Sequence, residues 1–79
     1  MSATVAIYQD LPAGRLRLGL FTYRGPGRSI YAISQAFHHK MPHAHTDGQL
    51  YIARRTRIMG RWVDDECLPM DAPDHPTTT

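Results

Sequence analysis

Only one stretch of this sequence spaces its apolar residues as a helix does, and the stretches on either side of it alternate. Ile30, Ile33, Ala36 and Phe37 fall at i, i+3, i+6 and i+7, which makes one apolar stripe. Ser29 stands before the stripe as an N-cap. His38, His39 and Lys40 close it, where cations complement the helix dipole, and Pro42 stops it. A helix over about residues 30–39 is predicted. Upstream, residues 3–9 are β-branched and aromatic, as in a strand. Residues 15–23 alternate, with Leu16, Leu18, Leu20 and Thr22 on one side and Arg15, Arg17, Gly19, Phe21 and Tyr23 on the other. The leucines are expected to face the core and the arginines to point away from it. Asp10–Gly14 reads as the turn of a hairpin, and Arg24–Arg28 as a second turn built on Pro and Gly.

Downstream of the helix, residues 41–48 read as a polar loop. Residues 49–57 form a strand with Leu50, Ile52 and Arg54 on one side and Tyr51, Ala53, Arg55 and Arg57 on the other. Ile58-Met59-Gly60 is a tight turn with Gly available for positive φ, and Arg61-Trp62-Val63 returns as a short last strand. The fold class is therefore α+β: a ββαββ chain whose antiparallel sheet carries one helix on its apolar face. The core is expected from Val5, Ile7, Leu16, Leu18, Leu20, Ile30, Ile33, Phe37, Leu50, Ile52 and Trp62 or Val63. Residues 1–64 make the single domain. Residues 65–79 carry acids and prolines with little to bury, so they read as a disordered tail, and deletion of residues 67–79 is expected to leave folding unaffected.

A chain of 79 residues buries only about 60% of its unfolded surface and holds a thin core. Cys67 is the only cysteine, which excludes an internal disulfide and suits a reducing compartment. Met1–Val5 lacks the pattern of a signal peptide, and no apolar run is long enough to span a bilayer. A cytoplasmic setting without membrane contact is expected.

The net charge of +2 conceals a segregation. Residues 1–61 hold all nine Lys and Arg against Asp10 and Asp47, for +7, and residues 62–79 hold five acids and no base, for −5. Eight of the nine bases are Arg, whose planar fork suits carboxylates, phosphates and aromatic faces. With the leucine face covered by the helix, the other face of the sheet shows Arg interleaved with Tyr and Phe. The candidate partner-binding residues are Arg15, Arg17, Tyr23, Arg24, Arg28, Tyr51, Arg55, Arg57, Arg61 and Trp62. Such a surface suits a protein hot spot, or single-stranded nucleic acid, whose bases stack on rings. A plain solvated face with Arg stems covering the rings is the alternative. Reversing Arg55 and Arg57 to Glu is expected to abolish binding and spare the fold.

Other signals compete. His38, His39, His43 and His45 lie within eight residues and could hold Zn, Ni or Cu, although the spacing matches no zinc module. The Gly25-Pro26-Gly27 loop, flanked by Arg24 and Arg28 before a helix N-terminus, could hold a phosphate, or serve only as a connector. Catalysis needs convergent groups in a cavity. Ser29 and Ser34 read as cap and helix surface, and no sizeable pocket is expected, so no enzymatic activity and no cofactor are expected.

The order Ser29–Phe37 helix, polar loop, and hairpin ending Gly60-Arg61-Trp62-Val63-Asp64 resembles some small phage-encoded anti-CRISPR proteins. The resemblance covers about residues 29–64 and is one of layout. It implies a non-enzymatic inhibitor or adaptor that docks on a guide-RNA surveillance complex or its nuclease, in the host cytoplasm. The basic folded part departs from the acidic DNA-mimicking members, which points to acidic protein patches or guide RNA as the target. A small nucleic-acid-binding regulator remains the alternative, and open strand edges make a homodimer plausible.

Overall fold

The computed structural model describes residues 2–27, 29–43 and 48–73. Its elements are strands β1 (Ala3–Leu11) and β2 (Gly14–Tyr23), helix α1 (Ile30–Lys40), and strands β3 (Leu50–Ile58) and β4 (Arg61–Pro69). This is the expected ββαββ order. The four strands form one antiparallel sheet in the order β2-β1-β3-β4. Two sequence-local hairpins thus lie side by side, joined through β1 and β3, and α1 carries the chain from edge strand β2 across to β3.

Local chemistry sets the ends of α1. The Ser29 side chain accepts a hydrogen bond from the Ala32 N–H at 3.1 Å, and the Met41 N–H donates to the Phe37 carbonyl at 2.8 Å. The helix buries Ile33 and Phe37 against Val5, Ile7, Leu50, Ile52 and Met70, with Phe21, Tyr23 and Ile30 at the margin. Phe21 meets Phe37 edge to face, with ring centres 5.4 Å apart. Each fully buried side chain of this kind contributes about 1.5–3 kcal/mol relative to exposure. Gly48 allows the loop after α1 to close on the sheet. Its φ is +150°, and a Cβ there would collide with the Asp10 carbonyl oxygen. The Asp10 N–H then donates to the Gln49 carbonyl at 3.0 Å.

The expected leucine face is not the core. Leu16, Leu18 and Leu20 are 49%, 46% and 55% exposed, while Phe21 and Tyr23 turn toward the helix. Leu16, opposite Gln9, keeps the helix side, and for Leu20 the cause is a β-bulge. Ile7 pairs with Gly19 and Tyr8 with Arg17, so Leu18 is the extra residue and the alternation changes phase there. Gly19, at φ +149°, supplies the backbone conformation beside the bulge. Strict alternation therefore misassigned half the strand.

The expected tail begins too early. β4 continues to Pro69, and Met70 is buried in the core. The Met70 N–H donates to the Leu50 carbonyl at 2.9 Å, and the Asp71 N–H to the Ser34 hydroxyl at 3.0 Å. Gln35 Nε2 donates to the Ala72 carbonyl at 2.9 Å. Residues 65–73 thus belong to the fold, because long-range hydrogen bonds and one buried thioether outweigh their polar composition. Residues 74–79 of the expected tail lie outside the described residues. Among the described residues, no helix is long and apolar enough to cross a membrane.

Candidate interaction surface

Pairing across the sheet decides which side chains share its open face, away from α1. Directly opposed residues in an antiparallel pair point the same way. The register therefore puts Thr22, Leu20, Arg17 and Arg15 of β2 on the open face with Thr4, Ala6, Tyr8 and Asp10 of β1. Tyr51, Ala53, Arg55 and Arg57 of β3 join them, with Cys67, Asp64 and Trp62 of β4. A second bulge, in β4 opposite the Ala53–Arg55 step, sets Asp64 on this face. The two bulges together bring a base from one edge strand and an acid from the other onto the same surface.

Asp64 is the centre of that surface. Arg17 donates to it twice, Nε to Oδ2 at 2.8 Å and Nη2 to Oδ1 at 3.3 Å. The Tyr8 hydroxyl donates to Oδ2. Arg55 Nε lies 3.2 Å from Oδ1, close enough for an ion pair though not aligned as a hydrogen bond. Tyr8 is level with Tyr51, and Asp64 with Arg55, so the Tyr8 phenol runs along the sheet over the intervening Ala6–Ala53 pair. That explains why both alanines are buried on a face no helix covers. The Arg17 hydrogen bonds, with a smaller contribution from Tyr8, hold the Asp64 carboxyl below its usual range against the opposing effect of burial. The hydrogen bond to Asp64 in turn raises the Tyr8 phenol.

A second cluster lies at the other end of the face. Arg15 Nε donates to Asp10 Oδ1 at 2.9 Å, and its guanidinium carbon sits 3.9 Å from the centre of the Tyr51 ring. The hydrogen bond from Arg15 lowers the Asp10 pKa. Near the β3–β4 turn, the Arg57 guanidinium lies 5.9 Å from the Trp62 ring centre, and Trp62 is 58% exposed.

The candidate residues from the sequence divide accordingly. Arg15, Arg17, Tyr51, Arg55, Arg57 and Trp62 share the open face. Arg61 pairs with Ile58 and points to the other side, because it stands one residue from Trp62. Tyr23 is on the helix side, where its hydroxyl donates to the Pro26 carbonyl at 2.7 Å, so it is no part of an Arg-aromatic face. Phe21 is likewise inward. Arg24 is exposed in the turn after β2, and Arg28 lies outside the described residues. The Gly25-Pro26-Gly27 segment links β2 to α1, and the Ser29 hydroxyl caps the Ala32 N–H at the helix N-terminus.

The described histidines are set apart by burial. His38 is buried, and its Nε2 donates to the Asp71 carbonyl at 2.7 Å, which ties α1 to the C-terminal segment. His39 and His43 are exposed, and His45 lies outside the described residues. Among the described residues, no group of three or more His, Cys, Asp or Glu side chains could hold a metal ion. Ser34 is buried, donating to the Ile30 carbonyl at 2.6 Å while accepting from Asp71.

One feature contradicts the sequence expectation that there is no sizeable pocket. β1 and β3 pair only over Val5–Gln9 and Leu50–Arg54, although β1 begins at Ala3 and β3 runs to Ile58. Beyond that ladder the two hairpins part and leave a cleft of about 750 Å³, lined by Thr4, Val5, Leu20, Ile33, Arg55 and Trp62 among others. Sequence reasoning missed Tyr8, Asp64 and Leu20 as surface residues. The one available signal was Asp64 itself, the first acid of the acidic stretch, which meets Arg17 and Arg55.

Fold and surface together define a small ββαββ domain with an ordered arginine, carboxylate and aromatic face. No family model matches the chain, and no curated protein and no solved structure matches it significantly.

Proposed function

We propose that this chain is a non-enzymatic binding domain that docks on a larger protein or ribonucleoprotein partner through the open face of its sheet. The observation that carries the reading is the fixing of Arg15 and Arg17 by Asp10 and Asp64, with Tyr51 and Trp62 beside them. Long basic side chains normally lose rotamer freedom on binding, at about 0.5–1.5 kcal/mol each, and these two have already lost it. Each guanidinium keeps N–H groups beyond those its carboxylate uses, so it can still meet acceptors on a partner. Asp10 and Asp64 also place negative charge within the basic face, which disfavours a run of phosphates and favours a protein surface with carboxylates and apolar patches. Trp62 is the exposed anchor. The anti-CRISPR resemblance implies the same mode of action, with a guide-RNA surveillance complex as the partner.

The test is capture of partners from host lysate by the tagged protein, with and without nuclease, compared with a variant carrying Arg57→Glu and Trp62→Ala. Those two residues are chosen because neither supports the Asp64 network. The wild type should retain a stoichiometric protein complex after nuclease treatment, and the variant should lose it with its melting temperature little changed. Retention by the variant would overturn the reading. Recovery of nucleic acid alone, lost on nuclease treatment or between 50 and 200 mM salt, would replace it with nucleic-acid binding.

A further inference from the structure

We infer that the cleft between the parted hairpins is a binding site for a medium-chain amphipathic carboxylate, an apolar chain ending in an anionic head. Its walls are apolar where the chain would lie. Leu20 of β2 and Trp62 of β4 are the exposed apolar walls, and the nearly fully buried Val5 of β1 and Ile33 of α1 close the bottom. Its volume, about 750 Å³, falls in the range of small-molecule sites. Charge is confined to the β3 wall, where Arg54 and Arg55 are consecutive. Consecutive strand residues point to opposite faces, so the two guanidinium groups stand on opposite sides of the sheet at the cleft. A carboxylate at either mouth meets an arginine, and the chain between the mouths meets Leu20 and Trp62 above Val5 and Ile33, with Ser2 and Thr4 as the polar residues of the lining.

Arg55 carries the argument further. Its ionic contact with Asp64 is not aligned as a hydrogen bond, and among the described residues its buried Nε has no hydrogen-bond partner. A buried donor left without an acceptor is unfavourable, and a second carboxylate reorienting the group would satisfy it. Leu20 and Trp62 are both more than half exposed, so the cleft presents apolar surface to solvent, which an alkyl chain would cover. The site is independent of the Arg15–Asp10–Tyr51 cluster at the other end of the face. The cleft shares Trp62 with the docking face, but decanoate binding is read on the isolated chain with no partner present, so failure of one reading is distinguishable from failure of the other.

Trp62 is the only tryptophan and lines the cleft, so its fluorescence reports occupancy directly. Titration of the full chain with decanoate, below its micellar range, should give a saturable blue shift with 1:1 stoichiometry. Leu20→Glu puts a like charge on the wall at an already exposed position, and should weaken decanoate binding about tenfold or more. Leu16→Glu, equally exposed on the same strand but outside the cleft, should leave it within about twofold. Decanol, which lacks the charge, should bind about tenfold more weakly than decanoate. Absence of a saturable response would overturn the site, as would equal binding by the Leu20→Glu variant. Equal affinity for decanol would overturn the assignment of an anionic head. Circular dichroism of the Leu20→Glu variant separates lost binding from lost folding.

Discussion

Met59 occupies a position that neither turn chemistry nor burial explains. It has φ +51° in a two-residue turn with Gly60 at φ +80°, and its side chain is 97% exposed. Turns with two positive φ values favour Asn or Gly, because a larger L-residue pays about 1–2 kcal/mol for the left-handed region. Met59→Asn should therefore raise stability, by about 0.5–1 kcal/mol in urea denaturation. Asp64 is the residue whose ionisation matters most to the open face. Its folded pKa lies below 3.8, chiefly through Arg17, so its contribution is fully present above that value and lost as pH falls through the folded pKa. Urea midpoints measured from pH 7 to pH 2 should fall through that acid range. In Asp64→Asn the midpoint should be lower at pH 7 and the acid decline shallower.

At the scale of elements, the two bulges do more than any single side chain. In β2 the bulge at Leu18 lets one strand send Phe21 and Tyr23 into the core and Arg15 and Arg17 onto the open face. In β4 the corresponding irregularity sends Asp64 to meet them. Because Leu18 is the bulged, half-exposed residue, Leu18→Ala should cost about 0.5 kcal/mol, far less than a core leucine. Gly19→Ala, by contrast, has no steric neighbour but forces Ala to φ +149°, and should cost about 1–2 kcal/mol. Thermal melts of the two variants distinguish the alternatives, since a strand with leucines buried would reverse their order.

For the molecule as a whole, the C-terminal segment closes the fold. Met70 fills the core between α1 and the sheet, and His38, Ser34 and Gln35 on one side of the helix bind the backbone of Asp71 and Ala72. Met70→Ala should therefore cost about 2–5 kcal/mol and lower the melting temperature by about 10 °C or more. Deletion of residues 67–79 should unfold the chain rather than leave it unaffected, because it removes the end of β4 together with that residue.

Sequence alone determined the elements, their order and the helix cap. Each depends on neighbours in the chain: the stripe at Ile30, Ile33 and Phe37, the Ser29 hydroxyl beside its own helix, and the Gly and Pro of the turns. It also placed Arg15 with Arg17 and Tyr51 with Arg55 on strand faces that the sheet brings together, but it did not place Phe21 and Tyr23 inward. Only the tertiary structure decided where alternation breaks, since a bulge is a property of two paired strands and leaves Leu16, Leu18 and Leu20 looking like a core stripe. The same holds for Asp64, whose role depends on a register between strands 47 residues apart at Arg17. It holds for Met70 and for the cleft, whose walls come from chain segments that no local pattern links.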